Sequence, residues 1–568
     1  MAALSDRHEE ATGTATSATG ATGEATDHTP EETSNNTTAR ATASTGATAS
    51  TGGAGRSRLL AAVPALAGAA PFLVLAIRIL VHHRDPVLSG DPALLDLATR
   101  SASHGHRALG PYSRFGFSHP GPAMFFALVP FLWLTGGAPW ALPFGVEILS
   151  AAAAAMTVVL VQRRAGRGAA AVTAVVVLGY ALALDIGLLQ VPWNPLVIVL
   201  PLVLVVVGAA MVDRPGLALA CVALAGSFAV QTHLGTTPVV LLVGAVAVVA
   251  AILGWGTWQG WDRWRGEPAA AGIVLTVTAL AWVPPVIEQF SHHPGNLGLL
   301  VRFFRSSGGP RPPVRQQVAF VGREVVVVPA GVVYRGSLTP ATVTIHRGMV
   351  ALAVFVAAGA LLIGLSVLLK RAVPRQLGIV SMVAALASVF AVSGIRGEVY
   401  WYLTLWMSVA AVPLLLGWAL VLIGWIPPRL HIVLVGLALV AGLVAGVVAG
   451  EKPLYDNRAF PMESQYRAQV VALWTDVEPA LATRKPRSVV LGGDLEVSPA
   501  FEGVAVRAVR RGIDVRVRPD LESLFGREFR ATGREDLGLW FTRSGPPPPG
   551  GVLLGEGDGI RSYTVPAR

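Results

Sequence analysis

The sequence predicts an all-α polytopic membrane protein of about eleven transmembrane helices. A disordered N-terminal tail precedes them, and a small extracytoplasmic α/β C-terminal domain follows. Three observations carry this prediction. Hydrophobic residues make up 53% of the 568 positions and charged residues 14%, with a mean hydropathy of +0.58, a balance foreign to soluble chains. Apolar windows of roughly 20 residues, the length that crosses ~30 Å of hydrocarbon, recur from Leu59 to Ala449. Beyond Glu451 the composition turns charged and mixed.

Residues 1–55 are rich in Ala, Thr, Gly and Ser and nearly free of large apolar side chains. Such a segment cannot bury enough surface to offset ordering entropy, so it reads as a disordered tail. It also lacks the apolar core of a signal peptide, and Arg56 and Arg58 precede the first apolar run. The tail is therefore expected on the cytoplasmic side. The single cysteine, Cys221, excludes an intrachain disulfide and a cysteine-ligated metal. The net charge of +10 is dispersed among short loops, which excludes a continuous nucleic-acid-binding patch.

Expected spans lie at 59–81, 139–161, 169–187, 195–212, 216–230, 236–254, 269–287, 346–369, 376–393, 401–424 and 430–449. The proline-flanked segment 120–136 is read as an interfacial helix instead of a span. This choice gathers Arg163/Arg164/Arg167, Arg214, Arg263/Arg265, Lys370/Arg371/Arg375 and Arg429 on one side, as the positive-inside rule requires. The division is then a tail over 1–55, a transmembrane domain over 56–450 with external loops 82–138 and 288–345, and an extracytoplasmic domain over 451–568. The expected location is the cell membrane, with an external C-terminal domain.

In the first external loop, Asp91 to Ser103 reads as a short amphipathic helix that opens with Asp-Pro, a favourable helix start. Asp91 would stand at the interface together with Asp85 and Asp96, where a base can meet a lipid headgroup and a soluble acceptor. The competing role for Asp91 is a helix N-cap.

The external string Ser89-Gly-Asp-Pro-Ala-Leu-Leu-Asp-Leu97, the string Leu109-Gly-Pro-Tyr-Ser-Arg-Phe-Gly-Phe-Ser-His-Pro-Gly-Pro122, an interfacial aromatic helix and the next span follow one another. This arrangement resembles the GT-C superfamily of membrane glycosyltransferases. Family 39 and the actinobacterial arabinofuranosyl- or mannosyltransferase-like members are the nearest in likeness, which covers residues 59–400. The resemblance implies a GT-C-like fold and a polyprenyl-phosphate-linked sugar as donor. It also implies an acid of the first external loop that deprotonates the acceptor hydroxyl. Asp91 takes that role and Asp85 is the reserve; the Asp-Glu pair of some relatives is absent, because Pro92 follows Asp91. The acceptor is expected to be a cell-envelope glycan, lipid or protein.

A leaving lipid phosphate calls for guanidinium partners, which engage two oxygens at once. Arg114 and Arg396 are the donor-site candidates, with Arg302 behind them, and His119 joins them from its place in the second string. Arg396 also fits a lipid-headgroup contact beside an aromatic belt. Polar groups at membrane depth are default site candidates, and Trp193, Asn194, Gln231 and His233 interrupt apolar runs. Trp193 offers a face for a sugar ring or an interface anchor, Asn194 a hydrogen bond or a helix cap, and Gln231 and His233 contacts to hydroxyls. Most of the twelve histidines fall outside, but no helical His-x-x-x-His or mixed Glu/His pair occurs, so no cofactor is expected, with a divalent metal as the lesser alternative.

The loop from His292 to Ile345, with its prolines, arginines and β-branched Val325–Val328, reads as a lid, an acceptor groove or a headgroup-binding loop. In the C-terminal region a helix over 463–482, a strand over 488–491, a helix over 499–511 and a strand over 513–517 make an α/β unit. The function expected is sugar transfer from a polyprenyl-phosphate donor to an extracytoplasmic acceptor. The alternatives are a lipid or small-molecule transporter, whose polar groups would form a path through the midplane, and a non-catalytic sensor or scaffold.

Overall fold

The computed structural model describes residues 51–83, 85–254, 268–306, 309–327, 344–452, 454 and 462–566. The expected tail lies outside them up to residue 50, and residues 51–55 already belong to the first helix. Four helices come first: α1 (Thr51–His82), α2 (Gly90–Ser103), α3 (Ala123–Leu134) and α4 (Ala141–Ala183). The 12 residues of α3 extend only ~18 Å, too short to cross, in keeping with an interfacial helix.

Gly166 breaks α4 at φ +85° and ψ −179°, a conformation that glycine adopts at no steric cost. A β-carbon on Gly68 would lie 3.1 Å from Val158 and 3.9 Å from Ala174. In a straight helix those two residues would stand ~24 Å apart, so the two halves of α4 fold back side by side and form two spans.

The chain continues through α5 (Asn194–Val197), α6 (Val199–Met211), α7 (Leu217–Thr232) and α8 (Thr237–Leu253). Nine helices among the described residues are long and apolar enough to cross a membrane. Counting α4 twice and adding the shorter apolar α7 recovers the eleven expected spans.

The seventh span is interrupted at Ala281-Trp282 into α9 (Pro268–Leu280) and α10 (Val283–Ser291). The expected loop 288–345 holds α11 (Asn296–Ser306) and α12 (Val314–Val327). Val325 to Val327 are thus helical rather than part of an open loop, while Val328 lies outside the described residues, as do Arg263 and Arg265. Next come α13 (Ile345–Leu368) and α14 (Ala372–Val392). Gly322 and Gly348 explain the packing of α12 on α13, since a β-carbon on either would run into the other helix's backbone.

The tenth span is broken. A short α15 (Trp401–Thr404) leads into 3-10 turns over Leu405–Ala410 before α16 (Ala411–Ile423), and α17 (Pro428–Gly450) closes the helical part. Irregular backbone at membrane depth persists only where protein buries it or a cavity borders it. Ser381 Oγ bonds to Ala410 O at 2.7 Å, and Tyr180 and Ser408 share a 2.6 Å bond.

The basic turns collect at one end of the bundle. Arg164 lies 3.7 Å from Asp213, Gly168 faces His431, and Gly424 faces Arg371. The C-terminal region follows with α18 (Glu463–Arg484), β1 (Ser488–Gly493), α19 (Ser498–Arg510), β2 (Asp514–Val517), α20 (Glu522–Phe525), β3 (Leu537–Thr542), β4 (Val552–Gly557) and β5 (Ile560–Val565). The sheet order is β2-β1-β3-β5-β4. The first three strands run parallel, and β5 pairs antiparallel with β3 and β4. Helix α19 packs on α2, which joins this domain to the helical part.

Candidate functional site

Gly90, at φ +53°, turns the chain into α2, and Ser89 holds the cap position. Asp91 stands in the first turn, but its carboxylate caps nothing. Oδ2 accepts the Trp193 Nε1–H bond at 2.9 Å, and Oδ1 accepts the Tyr112 hydroxyl. Burial pushes the Asp91 carboxyl above its usual range, against the opposing pull of those two hydrogen bonds. A carboxyl raised in this way is a stronger base when ionised, the property expected of a functional site. Burial and the nearby carboxylate push the Tyr112 phenol up as well, so it remains a donor.

Tyr112 belongs to a small hairpin. It pairs with Ser118 in an antiparallel bridge, and Gly110 N–H donates to His119 O at 3.0 Å. Successive residues on such a strand point to opposite faces. Tyr112 meets Asp91, whereas Ser113, Phe115, Phe117 and His119 border a cavity of about 480 Å³ on the other side.

That cavity is largely apolar, and its basic groups are Arg311, Arg396, His119 and His233, with no carboxylate among its lining residues. Arg396 is 4% exposed, and one Nη donates to Ser393 O at 3.0 Å. Burial, followed by the like charge of Arg311, lowers its pKa. Its Nε, like the indole nitrogen of buried Trp406, has no hydrogen-bond partner among the described residues, and both side chains border the cavity. Buried donors left this way are costly unless a ligand or water meets them.

The two histidines stand together, ring centroids 5.2 Å apart. Leu234 N–H donates to His119 Nδ1 at 3.1 Å, and Asn194 Nδ2 lies 3.4 Å from His233 Nδ1. With Nδ1 accepting, a neutral ring carries its proton on Nε2. Burial lowers both pKa values, that of His119 with help from His233, and that of His233 to about 4.

Aromatic rings link the two sides. Trp193 packs against Tyr402 at 4.7 Å between centroids, and Tyr402 stacks on Tyr400 at 5.6 Å. Arg114 lies over Tyr400 and donates to the Glu398 carbonyl at 3.1 Å.

Several expected placements are corrected. Asp85 is solvent-facing and pairs with Arg510 at 3.4 Å. Trp193 is buried against Trp401 and Tyr402 and acts as a donor to Asp91, so it offers no open face to a sugar. Gln231 is fully buried and turns its amide to Ser227 Oγ at 3.1 Å, inside the helix packing. Asn194 is the first residue of α5, and its amide faces His233 in place of a cap bond. Arg302 is exposed on α11 outside the cavity lining.

Tyr112, Tyr402, Arg311 and Trp406 escaped sequence reasoning. Tyr112 sits within the family-like string, and Tyr402 within an apparent aromatic belt. Trp406 lies in an apolar run that reads as ordinary span.

No protein-family model and no curated protein sequence matches the chain. Among solved structures, two of ArnT from Cupriavidus metallidurans are similar to this chain. The structure bound to undecaprenyl phosphate gives a TM-score of 0.47 at 12% identity, covering 90% of this chain and 98% of that one. The apo structure gives 0.45 at 13% identity with the same coverage.

Proposed function

We propose that the protein is a membrane glycosyltransferase that moves a sugar from a polyprenyl-phosphate donor to a cell-envelope acceptor. The observation that carries this reading is the cavity behind the hairpin: apolar walls, two arginines, two unpartnered donor groups and no carboxylate. An apolar chain ending in a phosphate matches it, because guanidinium forks bind phosphate oxygens and the walls shelter isoprenoid carbons.

In this reading Asp91 removes the proton from the acceptor hydroxyl, and the oxygen attacks the anomeric carbon. The bond from that carbon to the phosphate oxygen breaks, and the released charge falls to Arg396, Arg311 and the Trp406 N–H. General-base help of this kind contributes roughly 100- to 10,000-fold. Trp193 and Tyr112 hold the carboxylate in place. Because guanidiniums take the leaving charge, EDTA is expected to leave transfer unchanged.

The narrower likeness to family 39 or to arabinofuranosyl- and mannosyltransferases rests on the two strings around Asp91 and Tyr112. The positive-inside rule places the end with Arg163, Arg164, Arg214 and Arg371 in the cytoplasm, and so the hairpin and the C-terminal domain outside.

The test is label transfer from a panel of polyprenyl-phosphate sugars in membranes with and without the protein. Protein-dependent transfer from at least one donor is the expected result. Correctly inserted protein that transfers from none would favour transport.

A further inference from the structure

A second cavity, of about 570 Å³, lies where the C-terminal domain meets the helical part. Three segments that are far apart in sequence build it: the first loop around Arg107 and Phe117, helices α10 and α11 around Glu288, and residues 519–528 after β2. The carboxyl end of a parallel strand is where α/β sheets place ligand sites. Its volume is within the usual range for small-molecule sites, about 300–1,000 Å³.

Its polar groups alternate in sign. Arg527 lies 3.1 Å from Glu288 and 3.6 Å from Glu522, and Arg107 lies 2.8 Å from Glu528. Arg107 is largely engaged, since it also donates to Leu109 O at 3.1 Å, Phe525 O at 3.1 Å and Gly110 O at 2.9 Å. The lining guanidiniums are therefore already paired with carboxylates, and Glu522 also lies 3.4 Å from Arg530, so a free anion finds no unpaired guanidinium there. Hydroxyl groups suit this arrangement, because each donates to a carboxylate and accepts from a guanidinium. The Arg527 side chain is 42% exposed while that of Glu288 is 4% exposed, so the pair presents an open donor above a buried acceptor.

Phe117 borders both this cavity and the 480 Å³ one. The two chambers adjoin across a single ring.

We propose that the second cavity binds the saccharide part of the acceptor, which makes residues 519–528 of the C-terminal domain an acceptor-recognition element. That the saccharide belongs to the acceptor rests on the transfer reading above; saccharide binding itself follows from the cavity's own chemistry.

The test uses the full chain in nanodiscs and saturation-transfer NMR. The probes are linear tri- and tetrasaccharides of glucose, mannose and arabinose, with inorganic phosphate as the anionic control. At least one oligosaccharide is expected to bind without competition from phosphate. Ser523→Trp, which fills the cavity from an exposed position and leaves every ion pair intact, should weaken it by about tenfold or more. Arg527→Gln should weaken it too, while polyprenyl-phosphate binding stays as in the wild type. Absence of oligosaccharide binding, or a dissociation constant unchanged in Ser523→Trp, overturns the proposal. Transfer that proceeds with an unchanged acceptor KM in Ser523→Trp refutes this site and leaves the transfer reading standing. Oligosaccharide binding that Ser523→Trp abolishes, in a protein that transfers from no donor, supports the saccharide site and refutes the transfer reading.

Discussion

Trp193 Nε1 donates to Asp91 Oδ2 at 2.9 Å across 102 positions of sequence, tying the first turn of α2 to the start of α5. An acid that sequence places in a loop becomes, through this contact and the Tyr112 hydroxyl, a carboxylate with fixed orientation and raised pKa.

Trp193→Phe keeps the ring and removes the donor. Since that hydrogen bond lowers the Asp91 pKa, its loss should raise the pKa further. The acid limb of the pH–activity profile should move to higher pH, and the rate at a pH on that limb should fall. An unmoved limb would detach Trp193 from the titrating group.

Asp91→Asn should melt no lower than wild type at pH 8. A carboxyl raised by burial favours folding when protonated, so its contribution is present below the unfolded pKa and lost as pH rises through the folded one. The stability difference should therefore shrink as pH falls below the folded pKa, where both side chains are neutral. Thermal melts across pH check this.

The buried His233 ring has the opposite sign. Its pKa falls to about 4 from an ordinary 6.5, so stability is intact above 6.5 and declines as pH drops towards 4. The loss should be on the order of 3 kcal/mol from this ring. His233→Gln should flatten that part of the stability–pH curve.

Gly110→Ala should disable the hairpin while the protein still inserts. A β-carbon there would lie 2.6 Å from the Gln231 carbonyl oxygen and 2.7 Å from that of Gly121, and such overpacking costs ~1–3 kcal/mol. Reduced transfer together with normal membrane insertion is the expected pair of results.

Arg396→Ala and Trp406→Phe each remove a donor from the 480 Å³ cavity. Donor affinity should fall about tenfold to a hundredfold for the arginine, as for a hydrogen bond to a charged group, and less for the indole. Titration with polyprenyl phosphate measures both.

Local periodicity made much of the fold legible. Helix α19 and strands β1 and β2 fall within a few residues of expectation, because alternating and helical patterns are local signals. The turn at Gly166 was equally readable, since arginines flank a glycine between two apolar runs. The break at Leu405–Ala410 was hidden: an apolar run reads the same whether it is helical or bent around a cavity. At the site, Asp91 stood out as an acid beside apolar spans, but the partners that orient it come from 21 and 102 positions away. Trp193 read as a sugar platform or an interface anchor, and only the packing of Trp401 and Tyr402 on its ring gave it a different task.

Asp91 is proposed as the base of sugar transfer. Single-turnover transfer from a labelled polyprenyl-phosphate sugar by Asp91→Asn, with donor binding measured in the same preparation, tests it most directly. Transfer reduced by about 100-fold or more, with donor binding unchanged, is the expected result. Turnover equal to wild type at equal donor occupancy would contradict it.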